Sequence, residues 1–393
     1  LPSPPMPSTA VRQDVLRRAR RVVVKLGTQL ITQPADGGAG VGIDTACVRR
    51  IAAQVAKLRE RGIDVTLVSS GAIGAGCVQL DRPGRPTDLA EAQAVAAVGQ
   101  SRLMTHWRQA FARHRINVAQ LLLSRSDFDD RTRFLNIRNC LAHLHEIGCV
   151  PILNENDSVT VDEIRFGDND LLAAVTTNAV RGDALVLLTV VDGLLDDAGH
   201  RVDLVEHVGD HLRLAKNDKS PWGSGGMLSK LEAARLVTAA GEVAVIANGR
   251  ERNVLPRLLD GEPLGTVVLP APKKLDARSR WIGLTAQPAG TVTVNDGAVD
   301  ALTQQGKSLL AIGVTGMTGR FEAGGVVLVR DENGREVARG LTNYGEADLR
   351  LIAGRKSDAF ESILGRPTYD EVIHRDNMVV TGEAAGSEQR GAG

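Results

Sequence analysis

Short, uniformly apolar runs alternate with helical patterns over the first two thirds of the chain. The runs, between Arg21 and Leu269, are RVVVKLG, DVTLVSS, NVAQLLL, CVPILN, ALVLLT, VAVIAN and TVVL. The helical patterns lie at 43–61, 89–113, 131–147, 170–179 and 228–240. Strands that are apolar throughout, rather than alternating, are typical of a mostly parallel sheet covered on both faces. The pattern predicts an α/β domain over residues 19–270.

The pattern changes in the segment PAPKKLDARSRWIGLTAQPAG, which is rich in proline and charge and has no clear period. We expect a linker over 271–289. The runs TVTVND, SLLAIGVTG, GGVVLVRDENG and EVARGLTNYG then predict a small β-barrel-like domain over 290–367. Residues 368–393 are expected to form a C-terminal tail. The proline-rich start LPSPPMPSTA predicts a disordered leader over 1–18 rather than a signal peptide.

Length and charge narrow the classes of function. The 393 residues exceed the roughly 250 to 300 at which single cores stop growing, so at least two domains are expected. Lys plus Arg equals Asp plus Glu at 47 each, so no global field attracts nucleic acid or an anionic membrane. The 4 cysteines form no C-x-x-C pair, and no apolar run approaches the roughly 18 residues of a membrane span. A cytoplasmic location without membrane attachment is expected.

Two glycine-containing segments follow predicted strands. Lys25 ends the first strand and is followed by Gly27, at the sheet edge where ligands of open α/β sheets bind, although a solvated edge charge also explains a lone lysine. The second strand leads into SSGAIGAG, which contains Ser70 and Gly71. Its backbone N–H groups suit an anion, whereas tight helix packing explains the loop equally well. Its G-x-x-G-x-G spacing reverses the dinucleotide fingerprint and disfavours a Rossmann dehydrogenase.

Polar clusters and a third glycine-rich segment lie further along the chain. NEND at 154–157 follows a strand and GDND at 167–170 opens a helix. Turn and cap chemistry explains either cluster alone, while the two together suit an ammonium and a carboxylate. GSGGMLSK at 223–230 leads into another helix, where free N–H groups, the helix dipole and Lys230 predict an anion site. It is not a Walker A loop.

Together and in this order, VVVKLGT, SSGAIGAG, NENDS, GDND and GSGGMLSK resemble the glutamate 5-kinase branch of the amino acid kinase family. The likeness spans roughly residues 20–375 and includes VGQSR at 98–102 and RFLN at 133–136. It implies a three-layer α/β/α sandwich with a mostly parallel sheet, plus a C-terminal PUA domain. The implied reaction is ATP-dependent phosphorylation of the glutamate side-chain carboxylate, the first step of proline biosynthesis.

The same resemblance implies roles for individual residues. Lys25 and Lys230 contact the transferred phosphoryl group, and Asp170 orients these catalytic lysines. Glutamate binding is implied for Ser70, Gly71, Asp157, Asp168 and Asn169. ATP binding is implied for Lys25, Gly27, Thr189, Val190, Ser224, Gly225, Gly226, Met227, Leu228, Ser229 and Lys230. The family usually has Asp where this chain has Val190, which removes a polar contact there.

The expected chemistry needs ATP as donor and Mg²⁺, with no protein metal ligand assigned and no covalent intermediate. A homo-oligomer with feedback inhibition by proline is implied by the resemblance. Kinases of aspartate or acetylglutamate, and an RNA-binding protein led by the PUA domain, are the alternatives. Residues 290–367 carry nine basic and ten acidic side chains, and only Phe321, Tyr344 and Phe360 could stack on bases. We therefore expect no specific nucleic acid partner.

Overall fold

The computed structural model describes residues 8–34, 41–82, 84, 86–159, 169–215, 226–272 and 274–381. The chain divides into two compact units, residues 1–274 and 275–393. Each of the two units has its own cluster of buried apolar side chains.

The N-terminal unit contains ten strands and ten α-helices among its described residues. The helices are α1 (Ser8–Leu16), α2 (Thr28–Ile31), α3 (Thr45–Glu60), α4 (Ala72–Gln79), α5 (Leu89–Ala112), α6 (Arg125–Asp129), α7 (Arg131–Glu146), α8 (Asn169–Val180), α9 (Met227–Ala239) and α10 (Val254–Leu259). The strands are β1 (Arg21–Leu26), β2 (Thr32–Pro34), β3 (Val41–Ile43), β4 (Asp64–Ser69), β5 (Val118–Leu123), β6 (Val150–Glu155), β7 (Ala184–Thr189), β8 (Leu204–Val205), β9 (Val243–Asn248) and β10 (Thr266–Val268). A 3₁₀ helix spans Val208–Ala215.

Eight of these strands form one sheet in the order β5-β6-β4-β1-β7-β9-β10-β8. All neighbours pair in parallel except β10, which runs antiparallel to β9. Strands β2 and β3 form a separate antiparallel pair. The sheet confirms the predicted mostly parallel α/β architecture, and β1 lies near its centre.

The alternation of side chains along β1 decides which face each residue occupies. Val22, Val24 and Leu26 join the core cluster that includes α3, α5 and α10. Because successive strand residues point to opposite faces, Val23 and Lys25 lie on the other face, where α8 packs against β1. The carboxyl end of β1 therefore places the buried side chain of Lys25 on the face that α8 covers.

Helix α1 corrects the predicted leader. The buried guanidinium of Arg12 donates to the carbonyl oxygens of Leu264 (2.8 Å), Gly265 (2.8 Å) and Asp203 (2.6 Å), and Leu16 is fully buried. Burial lowers the pKa of Arg12. The prediction of disorder over 1–18 is thus wrong for residues 8–18. The helix is held by hydrogen bonds from Arg12 to carbonyl oxygens far away in the chain, and such bonds leave no pattern in the local sequence. Residues 1–7 lie outside the described residues.

The C-terminal unit contains a mixed sheet in the order β12-β11-β13-β14-β15, in which only β11 and β13 pair in parallel. Its strands are β11 (Gly290–Val294), β12 (Val314–Gly319), β13 (Val326–Asp331), β14 (Glu336–Leu341) and β15 (Met378–Val380). Its α-helices are α11 (Ala277–Arg280), α12 (Asp296–Thr303), α13 (Glu346–Ile352) and α14 (Phe360–Leu364). A π-helix spans Trp281–Thr285, and 3₁₀ turns span Ala311–Gly313, Ser357–Ala359 and Arg375–Asn377.

Two predicted boundaries of this unit also change. The segment expected as a linker over 271–289 contains α11 and the π-helix, and it buries Trp281 and Ile282. The expected tail from residue 368 contributes Val372 and Ile373 to the core and pairs β15 with β14. Each segment carries too few apolar residues to show a period, yet each packs onto a sheet formed elsewhere in sequence. Residues 382–393 lie outside the described residues.

No disulfide joins cysteines of the described residues, and the burial of these cysteines differs. Cys47 and Cys77 are buried, whereas Cys140 is exposed on α7. Burial raises the pKa of Cys47 to about 11, which keeps this thiol protonated and unreactive at neutral pH. Among the helices of the described residues, none combines the length and apolar character that a membrane span requires.

Candidate functional site

Three charged side chains meet beneath the carboxyl end of β1. Lys25 Nζ lies 2.5 Å from Asp170 Oδ1, and Lys230 Nζ lies 3.1 Å from Asp170 Oδ2. The relative exposures of Lys25, Asp170 and Lys230 are 3%, 0% and 6%. The predicted catalytic residues are therefore brought together by the fold, although 205 positions separate the two lysines in sequence. We call these three residues the ion cluster.

Two helix N-termini hold the ion cluster in place. Asp170 lies in the first turn of α8 and Lys230 in the first turn of α9. Ser229 Oγ contacts both Asp170 Oδ2 (2.8 Å) and the carbonyl oxygen of Gly226 (3.0 Å), and Lys230 Nζ lies 3.3 Å from that carbonyl. One aspartate between two lysines leaves a net charge of about +1, which suits a bound anion.

A second group of side chains is neutral and hydrogen-bonded. Asn169 Nδ2 donates to Ser70 Oγ (2.7 Å) and to Asn154 Oδ1 (2.9 Å), while Asn154 Nδ2 donates to Gln100 Oε1 (2.9 Å). We call these four residues the amide network. It joins the loop after β4, the end of β6 and the start of α8. Because Asn169 precedes Asp170, the network and the ion cluster are adjacent along the chain.

The glycines of SSGAIGAG have different structural roles. Gly71 has φ +108°, a left-handed conformation that favours glycine, at the N-terminus of α4. Gly76 and Gly99 instead allow α4 and α5 to touch: a Cβ at Gly99 would lie 1.9 Å from the carbonyl oxygen of Ala72. The packing explanation therefore holds for Gly76. The same close approach places Gln100 beside the loop, and Trp107 Nε1, seven residues on, donates to Ser69 Oγ (3.0 Å).

Three of the residues expected near ATP lie around the carboxyl end of β7. Gly27 donates its N–H to the carbonyl oxygen of Leu188 (3.0 Å), so that N–H is engaged within the fold. Val190 packs against the core cluster of the sheet. Thr189 ends β7 opposite Asn248, whose Nδ2 donates to Asp192 Oδ1 (2.9 Å).

A small pocket opens beside this strand end. Its volume is about 140 Å³, and its lining is mostly polar. The lining residues are Asp192, Arg201, Ala247, Asn248, Glu251, Val254, Leu264 and Gly265. Asp192, three residues after the end of β7, contributes a carboxylate to this lining.

The other predicted residues lie in segments next to the ion cluster and the amide network or outside the described residues. Asp168, Ser224 and Gly225 lie outside the described residues. Asp157 lies half-buried in the turn that follows β6, three residues after Asn154. In the first turn of α9, Met227 is buried and Leu228 is exposed.

Sequence reasoning did not single out Gln100, Asn154 or Trp107 as site residues. Asn154 lies within the NEND cluster, and Gln100 lies within VGQSR, so both residues belong to motifs of the family resemblance. One sequence signal for Gln100 is its place in the small-residue stretch AVAAVGQ, directly after Gly99, which permits the contact between α5 and α4. Their partners lie 54 and 38 positions away, which no local pattern reveals.

The described residues do not form a site for a protein-held metal ion. In the ranges that the structure covers, no group of three or more His, Cys, Asp or Glu side chains is placed to bind one. The carboxylate of Asp170 is engaged by two lysines and a serine.

Comparison with known proteins gives a consistent result for both units. A model of the amino acid kinase family matches residues 20–248, and a model of the PUA domain matches residues 290–364. A glutamate 5-kinase of Nitrosospira multiformis is 46% identical over 376 residues, covering 94% of this chain and 100% of that protein. Those of Paraburkholderia phytofirmans and Citrifermentans bemidjiense are 45% and 43% identical, with the same coverage. The chain belongs to the amino acid kinase family, with a PUA domain at its C-terminus.

Proposed function

We propose that the chain transfers the γ-phosphoryl group of ATP to the side-chain carboxylate of L-glutamate, giving glutamyl 5-phosphate and ADP. The observation that carries this proposal is the ion cluster beside the amide network. Two buried cations suit a phosphoryl group in transfer, and neutral donors and acceptors next to them suit an amino acid. The likeness to glutamate 5-kinases over 94% of the chain supports glutamate as that amino acid.

The nucleophile in this reaction needs no general base. A glutamate carboxylate has a free pKa near 4.3 and is already ionised at neutral pH. One of its oxygens attacks the γ-phosphorus, the bond to the β,γ-bridging oxygen breaks, and ADP leaves with the electron pair. The product is an acyl phosphate, and no enzyme-bound covalent intermediate forms.

The barrier is electrostatic, because an anion must approach a triphosphate. Lys25 and Lys230 neutralise charge that moves from the γ-phosphoryl oxygens to the leaving group, and Asp170 acts as a positioning residue that keeps both ammonium groups in place. A buried setting strengthens these interactions relative to water. Mg²⁺ stays a prediction from triphosphate chemistry, and the ion would arrive bound to ATP.

Binding of each substrate is assigned to one side of the cluster. Glutamate lies against Ser70, Gly71, Asp157, Asp168 and Asn169. ATP lies towards Gly27, Thr189, Val190 and the 224–230 segment. At position 190 the contact is apolar, since the valine packs against the core.

A substrate panel tests the proposal against its alternatives. The full chain, with ATP and Mg²⁺, is assayed for ADP release with glutamate, aspartate and N-acetylglutamate. We expect kcat/KM to be highest for glutamate, by at least tenfold. Faster turnover of aspartate or acetylglutamate would assign the chain to another carboxylate kinase, and ADP release from none of the three would refute a kinase function.

Three further properties are proposed on the resemblance alone. The chain is expected to form a homo-oligomer, to be inhibited by proline, and to act in the cytoplasm as the first enzyme of proline biosynthesis. Addition of proline to the same ADP assay, and light scattering of the purified chain, test the first two.

A further inference from the structure

The amide network reaches from the candidate substrate site into the interior of the protein. Gln100 is 8% exposed on α5, and Asn154 is 3% exposed at the end of β6. Nothing in the proposed reaction requires Gln100 to touch a substrate. Its Oε1 atom nevertheless accepts the only described hydrogen bond from Asn154 Nδ2.

A backbone N–H group fixes which atoms donate and which accept in the amide network. The N–H of Glu155 donates to Asn154 Oδ1 (3.0 Å), and a backbone N–H can only donate. Asn154 therefore keeps its oxygen towards Glu155 and turns its Nδ2 towards α5. An acceptor is required there, and Gln100 Oε1 supplies it.

The same direction determines how Asn169 is presented. Asn169 Nδ2 donates to Asn154 Oδ1 and to Ser70 Oγ, so both of its protons are used. Its Oδ1 atom is buried and has no hydrogen-bond partner among the described residues. Buried amide oxygens are normally paired, so this acceptor suits a donor on a bound molecule. In an α-amino acid that donor is the ammonium group.

We propose that Gln100 is a positioning residue that, through Asn154, holds the Asn169 amide with its oxygen towards the substrate ammonium. This inference rests on the proposed function. Without the Gln100 acceptor, the side-chain amide of Asn154 either keeps a buried, unpaired N–H or flips by 180°. A turned Asn154 faces the Glu155 N–H and Asn169 Nδ2 with a donor, and Asn169 loses the contact that orients it.

The packing of α5 makes Gln100 suitable for this role. Gly99 lies against the backbone of α4, where an added Cβ would be 2.3 Å from the nitrogen of Gly76. Trp107 on the same helix anchors Ser69. Helix α5 thus holds two of the segments that carry the amide network, and Gln100 has little freedom to move away from Asn154.

Two substitutions with opposite expectations test this role. Gln100→Met keeps the length of the side chain and removes the acceptor, whereas Gln100→Glu keeps an acceptor oxygen. The full chain is assayed with glutamate and with glutarate, which lacks the ammonium group. We expect Gln100→Met to raise the KM for glutamate roughly tenfold, because a buried N–H of Asn154 then loses its acceptor. The KM for ATP should stay within about twofold of the wild-type value.

The ratio of kcat/KM for glutamate to that for glutarate is the decisive measurement. It should fall about tenfold in Gln100→Met and return towards the wild-type ratio in Gln100→Glu. If Gln100→Met does not fold, Gln100→Asn withdraws the oxygen by one methylene and should lower the same ratio. A merely structural role for Gln100 would lower turnover of both acids equally.

The possible failures are distinguishable. Wild-type chain without turnover of glutamate would refute the proposed function and this inference with it. Wild-type turnover combined with an unchanged glutamate-to-glutarate ratio in Gln100→Met, or with a Gln100→Glu variant as impaired as Gln100→Met, would refute the inference alone.

Discussion

The kinase domain and the PUA domain differ in how deeply their ion pairs are buried. In the kinase domain, Lys25, Lys230 and Asp170 are all buried in one cluster that carries a net positive charge. In the PUA domain, every described ion pair includes at least one side chain that solvent reaches, as in Arg335 with Asp331. Burying a charge costs several kcal/mol of desolvation free energy per ion unless the charge is closely paired. The kinase domain bears this cost at the ion cluster, whereas the described ion pairs of the PUA domain do not.

The two domains thus differ in whether a net charge is held away from solvent. Surface ion pairs contribute about 0 to 1 kcal/mol each and create no strong local field. A buried cluster with unequal numbers of cations and anions creates such a field and holds it ready for a ligand. We therefore expect substitutions in the kinase domain to change catalysis and equivalent substitutions in the PUA domain to change little.

The largest effect is expected from the two lysines. Lys25→Ala and Lys230→Ala should each lower kcat by about 10² or more, because each removes a charge used chiefly in the transition state. The remaining lysine still pairs with Asp170, so both variants should fold. Steady-state ADP release and circular dichroism measure the two outcomes. Lys57→Ala, on the exposed face of α3, is the matched control, and near-normal kcat in either cluster variant would remove that lysine from the mechanism.

A smaller and more selective effect is expected from the neutral side of the site. Asp157→Ala and Asn169→Ala should raise the KM for glutamate about tenfold, in line with the loss of one or two hydrogen bonds, and leave the KM for ATP within about twofold. Initial rates over a grid of both substrates give the two constants. Asn139→Ala, on the exposed face of α7, controls for loss of an asparagine. Equal changes in both KM values would place these residues outside the glutamate pocket.

The two kinds of site residue also differ in how far sequence predicts them. Strand ends, helix starts and glycine spacing are local signals that mark the segments of Lys25 and Lys230 as candidate anion sites, and the resemblance to the amino acid kinase family implies their catalytic roles. The amide network depends on contacts such as Gln100 with Asn154, which join segments far apart in the chain. The roles of Gly71 and Gly76 could not be separated either, because one sets a turn and the other a contact with Gly99.

The fold shows the same limit. Period and composition predicted seven of the eight strands of the mostly parallel sheet, since each of those seven is an apolar run of three to six residues, whereas the two residues of β8 leave no such pattern. They failed for α1, where Arg12 caps carbonyls some 190 to 250 positions away, and for the segment around Trp281, whose burial depends on a sheet formed later in the chain. Local patterns identify elements that carry their own apolar face, whereas short elements that complete another element's core remain unseen.

A surface ion pair of the PUA domain should show how weak its charges are. Arg350 and Glu346 pair one turn apart on α13. A double-mutant cycle with alanine at both positions should give a coupling of about 0.2 to 1 kcal/mol, and about 1 M salt should remove most of it. Chemical denaturation of the full chain measures the coupling, with kcat expected to be unchanged. A coupling above about 2 kcal/mol would contradict the contrast between the domains.

The smallest effect expected is the absence of specific RNA binding by the PUA domain. Phosphate neutralisation needs a clustered positive excess, yet residues 290–367 carry nine basic and ten acidic side chains, and Arg335, Arg339, Arg350 and Arg366 are already paired with acids.

The PUA domain also lacks, among its described residues, a set of exposed aromatic side chains on which RNA bases could stack. Phe321, Tyr344 and Phe360, the aromatic side chains available to stack on bases within 290–367, are all buried in the core of the unit. Beyond that range Tyr369 is exposed, and a single ring provides one stacking contact.

The full chain should therefore bind single-stranded and hairpin RNA no more tightly than about 10⁻⁴ to 10⁻⁶ M at physiological salt, the range of non-specific electrostatic binding. Fluorescence anisotropy with labelled RNA at two salt concentrations measures this. Tyr369→Ala, compared with the wild type, tests whether this exposed ring contributes. Nanomolar binding that weakens steeply with salt would instead mean that the PUA domain recognises RNA despite its balanced charge, and it would make the alternative function of this chain the stronger one.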